Sequence, residues 1–296
     1  MKKWLVRKPQ KEFAEKILRE SEVTPLCADI LAARGFTSAE DAAKQLNSDG
    51  LSDPFLLKDM REAADVINDA VENFESICIY GDYDCDGITS TVILFSYLEC
   101  MGANVTYYIP ERSEGYGLNA DAVRELAKRG VNLIITVDNG ISAIEESKLI
   151  YELGMRLVVT DHHQPGDELP QAEAVVDPHR KDCPSTFKYL CGAGVALKLV
   201  AALENGDYET ALNEYGEFAA MGTVADVVSL TGENRYIVSN GLRLLENSER
   251  PGVNALIKKS GLKFPLTSAS LAFGLAPRIN ASGRFGSPSL AARLFI

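Results

Sequence analysis

The chain has 296 residues, 46% hydrophobic and 24% charged, enough to bury the core of one large or two ordinary domains. No apolar run approaches the ~20 residues that a membrane-spanning helix requires. The net charge of -12 argues against a generic, sequence-blind coat for DNA, although carboxylates that hold metal ions also count as negative in that sum.

The six cysteines are scattered without a C-x-x-C pair, and MKKWLVRKPQ lacks the apolar stretch of a signal peptide. Reduced thiols in the cytoplasm are therefore expected, and no cysteine zinc site. Residues 1–75 read as a helical packing segment. Thr37, Ser38, Ala39 and Glu40 have capping-box spacing. Pro54 marks a break before 56–74, where Leu57, Met60, Ala64, Ile67 and Val71 fall at helical spacing.

From Ile77 the pattern alternates. Strands are expected at 77–80, 105–109, 133–137, 157–160 and 174–176, with helices at 88–101, 119–129 and 142–153 between them. This rhythm predicts an α/β fold, a parallel sheet flanked by helices. Right-handed crossovers then bring all strand C-termini to one edge, where such folds bind ligands. The strands end in Asp82-x-Asp84-x-Asp86, Asp138-Asn139-Gly140, Asp161-His162-His163 and Asp177-Pro178-His179, and all three histidines lie in the last two groups. Carboxylates this close repel one another unless a cation lies between them, and oxygen-bound divalent metal meets that need. Histidine beside carboxylate favours manganese over calcium, with magnesium as the other candidate.

Beyond Gly192 the chain reads as mostly helical. Asp226, in Gly222-Thr-Val-Ala-Asp, is either a helix cap or a ligand, and the ligand reading is favoured. Arg278, Asn280, Ser282 and Arg284 fit a solvated loop or a phosphate contact equally. The closing SLAARLFI reads as a helix still in progress, as expected of a piece of something longer.

Rival readings fail on particular positions. An EF-hand requires a bidentate glutamate where Ile93 stands. A dinucleotide fold requires glycines where the first strand-to-helix turn is acidic. The Walker loop and the G-x-S-x-G elbow are absent. Two-metal hydrolysis of a phosphate ester or anhydride remains, with the ions ~3.5–4 Å apart between bridging carboxylates.

GDYDCDGITS, PERSEGYGLN, VDNG, TDHHQP, VDPHR, CGAGVALKL, GTVADVVSL and PRINASGR, in that order, resemble the RecJ-like single-stranded-DNA exonucleases of the DHH phosphoesterase superfamily. The resemblance implies 5′→3′ hydrolysis of single-stranded DNA to 5′-mononucleotides with two Mn2+ or Mg2+ ions. Repair or replication proteins are implied as further partners, and no membrane. It assigns Asp84, Asp86, Asp138, His162 and Asp226 to the metals. Asp82 and His163 become catalytic, His163 facing the scissile phosphate. Arg112, His179, Arg278, Asn280 and Arg284 fall to the bound strand. Many superfamily members carry histidine where this chain has Tyr80. The implied division is a helical segment over 1–75, a DHH core over 76–232 and a helical connector over 233–296 that leads to an absent DHHA1-type domain. Two other functions remain open: a DHH enzyme acting on short oligonucleotides or cyclic dinucleotides, and a non-catalytic replication scaffold.

Overall fold

The computed structural model describes residues 5–46, 50–285 and 287–296; residues 1–4 and 47–49 of the segment expected to be helical lie outside it. Among the described residues, four α-helices precede the sheet: α1 (Lys11–Glu20), α2 (Pro25–Ala33), α3 (Ala39–Leu46) and α4 (Met60–Glu72). The alternating region follows as β1 (Ile77–Tyr80), α5 (Cys85–Cys100), β2 (Val105–Tyr108), α6 (Ala120–Lys128), β3 (Leu133–Val137), α7 (Ile144–Glu152), β4 (Arg156–Thr160) and β5 (Ala174–Val176). The rest is helical: α8 (Gly192–Leu203), α9 (Tyr208–Ala225), α10 (Gly232–Glu246), α11 (Pro251–Ser260), α12 (Ser268–Ser270), α13 (Ala276–Phe285) and α14 (Ser289–Phe295).

All five strands are parallel, in the order β2-β1-β3-β4-β5. Ile79 lies opposite both Tyr107 and Ile135, and Ile135 opposite Val158. Side chains alternate between two cores. Ile77, Ile79, Ile135, Val137 and Val158 pack with α4, α5, α8 and α9. Cys78, Tyr80, Ile134, Leu157 and Val159 pack with Ala122, Val123 and Leu126 of α6 and Ile150 of α7. Burial on both faces explains why the strands read as near-continuous apolar runs. Strand order reverses direction between β1 and β3, and a crevice forms at such a point beyond the strand C-termini. The segments that leave those two strands carry Asp82 to Asp86 and Asp138.

Several boundaries differ from expectation for local reasons. The helix expected from Ile88 starts at Cys85, because Asp84 caps it: its Oδ1 accepts from the Gly87 N–H at 3.0 Å. The acidic run is thus a cap and a first turn, where negative charge meets the positive helix end. Helix α3 is capped by Ser38 rather than Thr37, its Oγ accepting from the Asp41 N–H. The 277–284 stretch is helix α13, not a loop. Ala276 and Ile279 are buried, and the Arg278 guanidinium donates to the Gly274 carbonyl one turn back. The domain boundary expected after residue 232 falls at the first residue of α10.

Two buried cations tie flanking segments to the sheet. Lys198 of α8, 1% exposed, meets Glu233 of α10 at 2.6 Å and the Ser52 hydroxyl at 3.0 Å. Arg180, after β5, donates to the Val175 carbonyl, to Asp59 at the head of α4 and to both oxygens of Asp182. Burial pushes the Asp59 carboxyl upward, but hydrogen bonds from Arg180 and Lys58 outweigh it and hold the group below its ordinary value. The Asp59 contribution is therefore full above the ordinary aspartate range and is lost as pH falls through the lowered folded-state value. Arg180→Ala should cost about 3 kcal/mol in urea unfolding at neutral pH. The gap to wild type should narrow below the ordinary value of 3.8. An unchanged urea midpoint would show that Arg180 does not hold α4 to the sheet.

Candidate metal centre

The strand C-termini converge as expected. Asp82, 1% exposed, follows β1, and both its oxygens lack a hydrogen-bond partner among the described residues. Asp84 spends one oxygen on its helix cap. Asp86, in the first turn of α5, is gripped by the N-terminus of α8: Gly192 N–H donates to Oδ2 at 2.7 Å and Ala193 N–H to Oδ1 at 2.9 Å. Asp138 leaves β3 with φ of 62°, a left-handed conformation that aspartate tolerates better than most residues. His162 Nε2 lies 3.0 Å from Asp138 Oδ1, 3.7 Å from Asp86 Oδ2 and 3.8 Å from Asp226 Oδ2. Asp226 is both things the sequence allowed, the C-cap residue of α9 and a member of the cluster.

The ligand atoms form overlapping sets within 4.8 Å of one another: Asp82, Asp84 and Asp138; Asp86, His162 and Asp226; Asp138, His162 and His163. Three glycines make this crowding sterically feasible. A Cβ on Gly87 would stand 2.6 Å from Asp82, one on Gly192 2.5 Å from Asp138, and one on Gly222 2.5 Å from Asp86 Oδ1.

The electrostatics demand a cation. Burial, then the charge of Asp84, raises the Asp82 carboxyl to about 7. Burial, then Asp86, raises Asp226 to about 7 and Asp84 above its ordinary value. Asp138 is raised well above, for the same two reasons. Burial lowers His162, which leaves a neutral imidazole, the form that binds metal. Both Asp82 oxygens, Asp138 Oδ1 and His162 Nε2 are buried and make no hydrogen bond among the described residues, a costly state for such groups. Hard oxygen donors plus one imidazole fit divalent cations of the manganese or magnesium type.

His163 differs from its neighbour. Its Nδ1 lies 2.7 Å from Asp161 Oδ1, and that hydrogen bond raises its pKa above the ordinary value. Asp161 also accepts from the backbone N–H groups of His162, His163 and Ile141. Asp161 therefore holds the turn together and lies outside the three ligand sets. The Tyr116 hydroxyl sits 3.1 Å from His163 Nε2 and donates to the Asp138 carbonyl at 3.1 Å.

The residues expected on the bound strand separate. Arg112 is exposed and lies over the Tyr83 ring at 4.4 Å, near the metal cluster. Arg284 and Arg278 are exposed, with one Arg278 nitrogen used inside its own helix. Asn280 spends its oxygen on the fold: its Oδ1 accepts from the Cys85 N–H at 2.7 Å, joining α13 to the start of α5. His179 turns its Nδ1 to the His162 carbonyl at 2.6 Å and so backs the β4 turn. Tyr80 is a core residue whose hydroxyl donates to the Gly117 carbonyl and accepts from Asn119.

The DHH family, N-terminal domain, matches residues 76–223, half of the chain. The chain belongs to the DHH family. Among curated DHH relatives, the single-stranded-DNA-specific exonuclease RecJ of Bacillus subtilis (strain 168) is 43% identical over 99% of this chain and 37% of its own length. That of Escherichia coli (strain K12) is 36% identical over 93% of this chain and 50% of its own length. The chain thus spans half or less of each of these two relatives. A structure of RecJ in complex with Mn2+ from Thermus thermophilus superposes with a TM-score of 0.82 at 34% identity, over 98% of this chain and 42% of that one. A second structure, of exonuclease RecJ bound to manganese, gives 0.74 at 38% identity, over 81% and 61%.

Sequence reading did not assign roles to Asp161, Tyr116 or the Gly192 and Ala193 amides. Asp161 was visible beside the histidines, but its direction depends on the backbone of two loops. Backbone donors leave no mark of residue type.

Raised carboxyl values give a signed expectation for the metal-free chain. Asp82 and Asp226 bind protons more tightly when folded, so their contribution is full below 3.8 and lost as pH rises to about 7. Chelator-treated chain should therefore melt at a lower temperature at pH 7.5 than at pH 5. Free Mn2+ a hundredfold above its Kd should restore about 2.7 kcal/mol. A melting temperature indifferent to both pH and metal would contradict the centre.

Proposed function

We propose that this chain is the catalytic portion of a metal-dependent exonuclease that degrades single-stranded DNA from the 5′ end and releases 5′-mononucleotides. The observation that supports it best is the convergence of Asp82, Asp84, Asp86, Asp138, His162 and Asp226, with buried unpaired donor atoms, in a fold close to Mn2+-bound RecJ. A scaffold without metals would leave those oxygens unbalanced. The proposed working division is a helical segment over 1–75, a catalytic core over 76–232 and a helical connector over 233–296. Proposed partners are single-stranded DNA and repair or replication proteins, in the cytoplasm. No helix among the described residues is long and apolar enough to cross a membrane.

Two Mn2+ ions, with Mg2+ as the alternative, would be held by Asp82, Asp84 and Asp138 and by Asp86, His162 and Asp226. Bound there, they supply Lewis acidity and lower the pKa of an attacking water. The rest falls to the chain. Asp161 occupies His163 Nδ1, so Nε2, which meets the Tyr116 hydroxyl at 3.1 Å, is the nitrogen that would turn to substrate. Its raised pKa keeps the imidazolium present at higher pH, as a donor to the phosphate oxygen where charge develops. Arg112, exposed beside Tyr83, adds positive charge for the 5′ phosphate.

The test is mononucleotide release from a short 5′-phosphorylated single strand, followed by chromatography with Mn2+ present. Asp138→Asn is the metal-site variant of choice, since asparagine also accepts a φ of 62°. It should lose all activity with its circular dichroism unchanged. His163→Ala should keep its Mn2+ content and KM and lose ~10²–10³ in kcat. Normal turnover in Asp138→Asn, or no release by wild type, would refute the reading. Loss of metal from His163→Ala, with rescue by excess Mn2+, would move His163 to the ligands.

A further inference from the structure

A cleft of about 240 Å3 opens beside His163. None of the six side chains proposed to hold metal lines it, but Asp161 and His163 do. One wall is the loop through Tyr116, Gly117 and Leu118; the other is the turn from Gly140 to Ala143 that leads into α7. Leu118, Ile141 and Ala143 are buried apolar side chains of its lining. Tyr116 is 54% exposed, yet its ring is fixed, edge-to-face with His163 at 5.6 Å and anchored through its hydroxyl to the Asp138 carbonyl.

Two polar side chains at the cleft have no partner among the described residues, the Ser142 hydroxyl and the Glu146 carboxylate. Its neighbour Glu145 is by contrast paired with Lys148 at 2.8 Å. Glu146 and Asp161 make the cleft hostile to phosphate. An apolar lining, an exposed aromatic ring and free acceptors suit a flat, uncharged group that carries N–H donors.

We propose that this cleft receives the nucleobase of the nucleotide whose phosphate meets His163. The proposal rests on the DNA-hydrolysing reading above and adds a base subsite to it. Tyr116 supplies the aromatic wall. Glu146 accepts from an exocyclic amine, as acidic side chains do with cytosine N4, so cytosine is held better than thymine.

Calorimetry on the full 296-residue chain with Mn2+ tests it, with dCMP, dTMP and 2-deoxyribose 5-phosphate as probes. Wild type should bind dCMP roughly tenfold more tightly than the base-free sugar phosphate. Ser142→Phe, at an exposed position, should fill the cleft and erase that difference while the sugar phosphate binds as before. Glu146→Gln should narrow the preference for dCMP over dTMP. Equal affinities in wild type, or a difference that survives Ser142→Phe, overturn the proposal; an unaltered dCMP preference in Glu146→Gln overturns the role of Glu146. Oligonucleotide hydrolysis on the same preparation separates the two readings. Hydrolysis with equal affinities sinks the cleft alone, whereas a base preference without hydrolysis sustains the cleft and sinks the exonuclease.

Discussion

Like charges crowded at one end of a parallel sheet are the constraint on which this structure depends. Asp82, Asp84, Asp86, Asp138 and Asp226 meet where water is largely excluded, and each raises the energy of its neighbours' ionised forms. The fold offsets part of this before any ion arrives. The first two amides of α8 grip Asp86, so the positive end of a buried helix faces the cluster. Gly87, Gly192 and Gly222 bring backbone against carboxylate where any side chain would collide. What remains uncompensated is what two divalent cations would neutralise.

The flanking helices are joined to this centre by polar contacts in apolar surroundings. Lys198 with Glu233 and Ser52, and Arg180 with Asp59, bridge segments far apart in sequence. Such pairs add less net stability than their geometry suggests, because desolvation opposes the attraction. Their geometry is demanding, so they select one docking of each helix against the sheet over near alternatives. That selection matters when ligand atoms must lie within a few ångströms of one another.

Much of this was legible in the sequence. Apolar runs of strand length separated by helical stretches led to a parallel sheet, because burial on both faces imposes that pattern. Acidic and imidazole groups at four strand ends led to a metal centre, because parallel topology gathers those ends. Direction was harder to read. Asn280 looks like a substrate contact by residue type, yet its amide oxygen satisfies the Cys85 N–H. His179 looks like another site imidazole, yet it turns toward the His162 carbonyl. In both, the competing partner is a backbone group, and backbone groups are identical at every position. The early start of α5 was missed for a related reason: Asp84 can read as a loop carboxylate or as a cap, and it serves as a cap.

The bond between Asn280 and Cys85 spans 195 positions. The first acidic motif leaves the ribosome early, but the amides that grip Asp86, the aspartate at 226 and the amide side chain at 280 follow much later. Synthesis proceeds from the N-terminus, and domains fold as they emerge. The β1 to β4 region can begin to collapse with its carboxylates in place while the groups that orient them are still unmade. A nascent chain shorter than about 280 residues therefore carries the DHH motif without its completed setting.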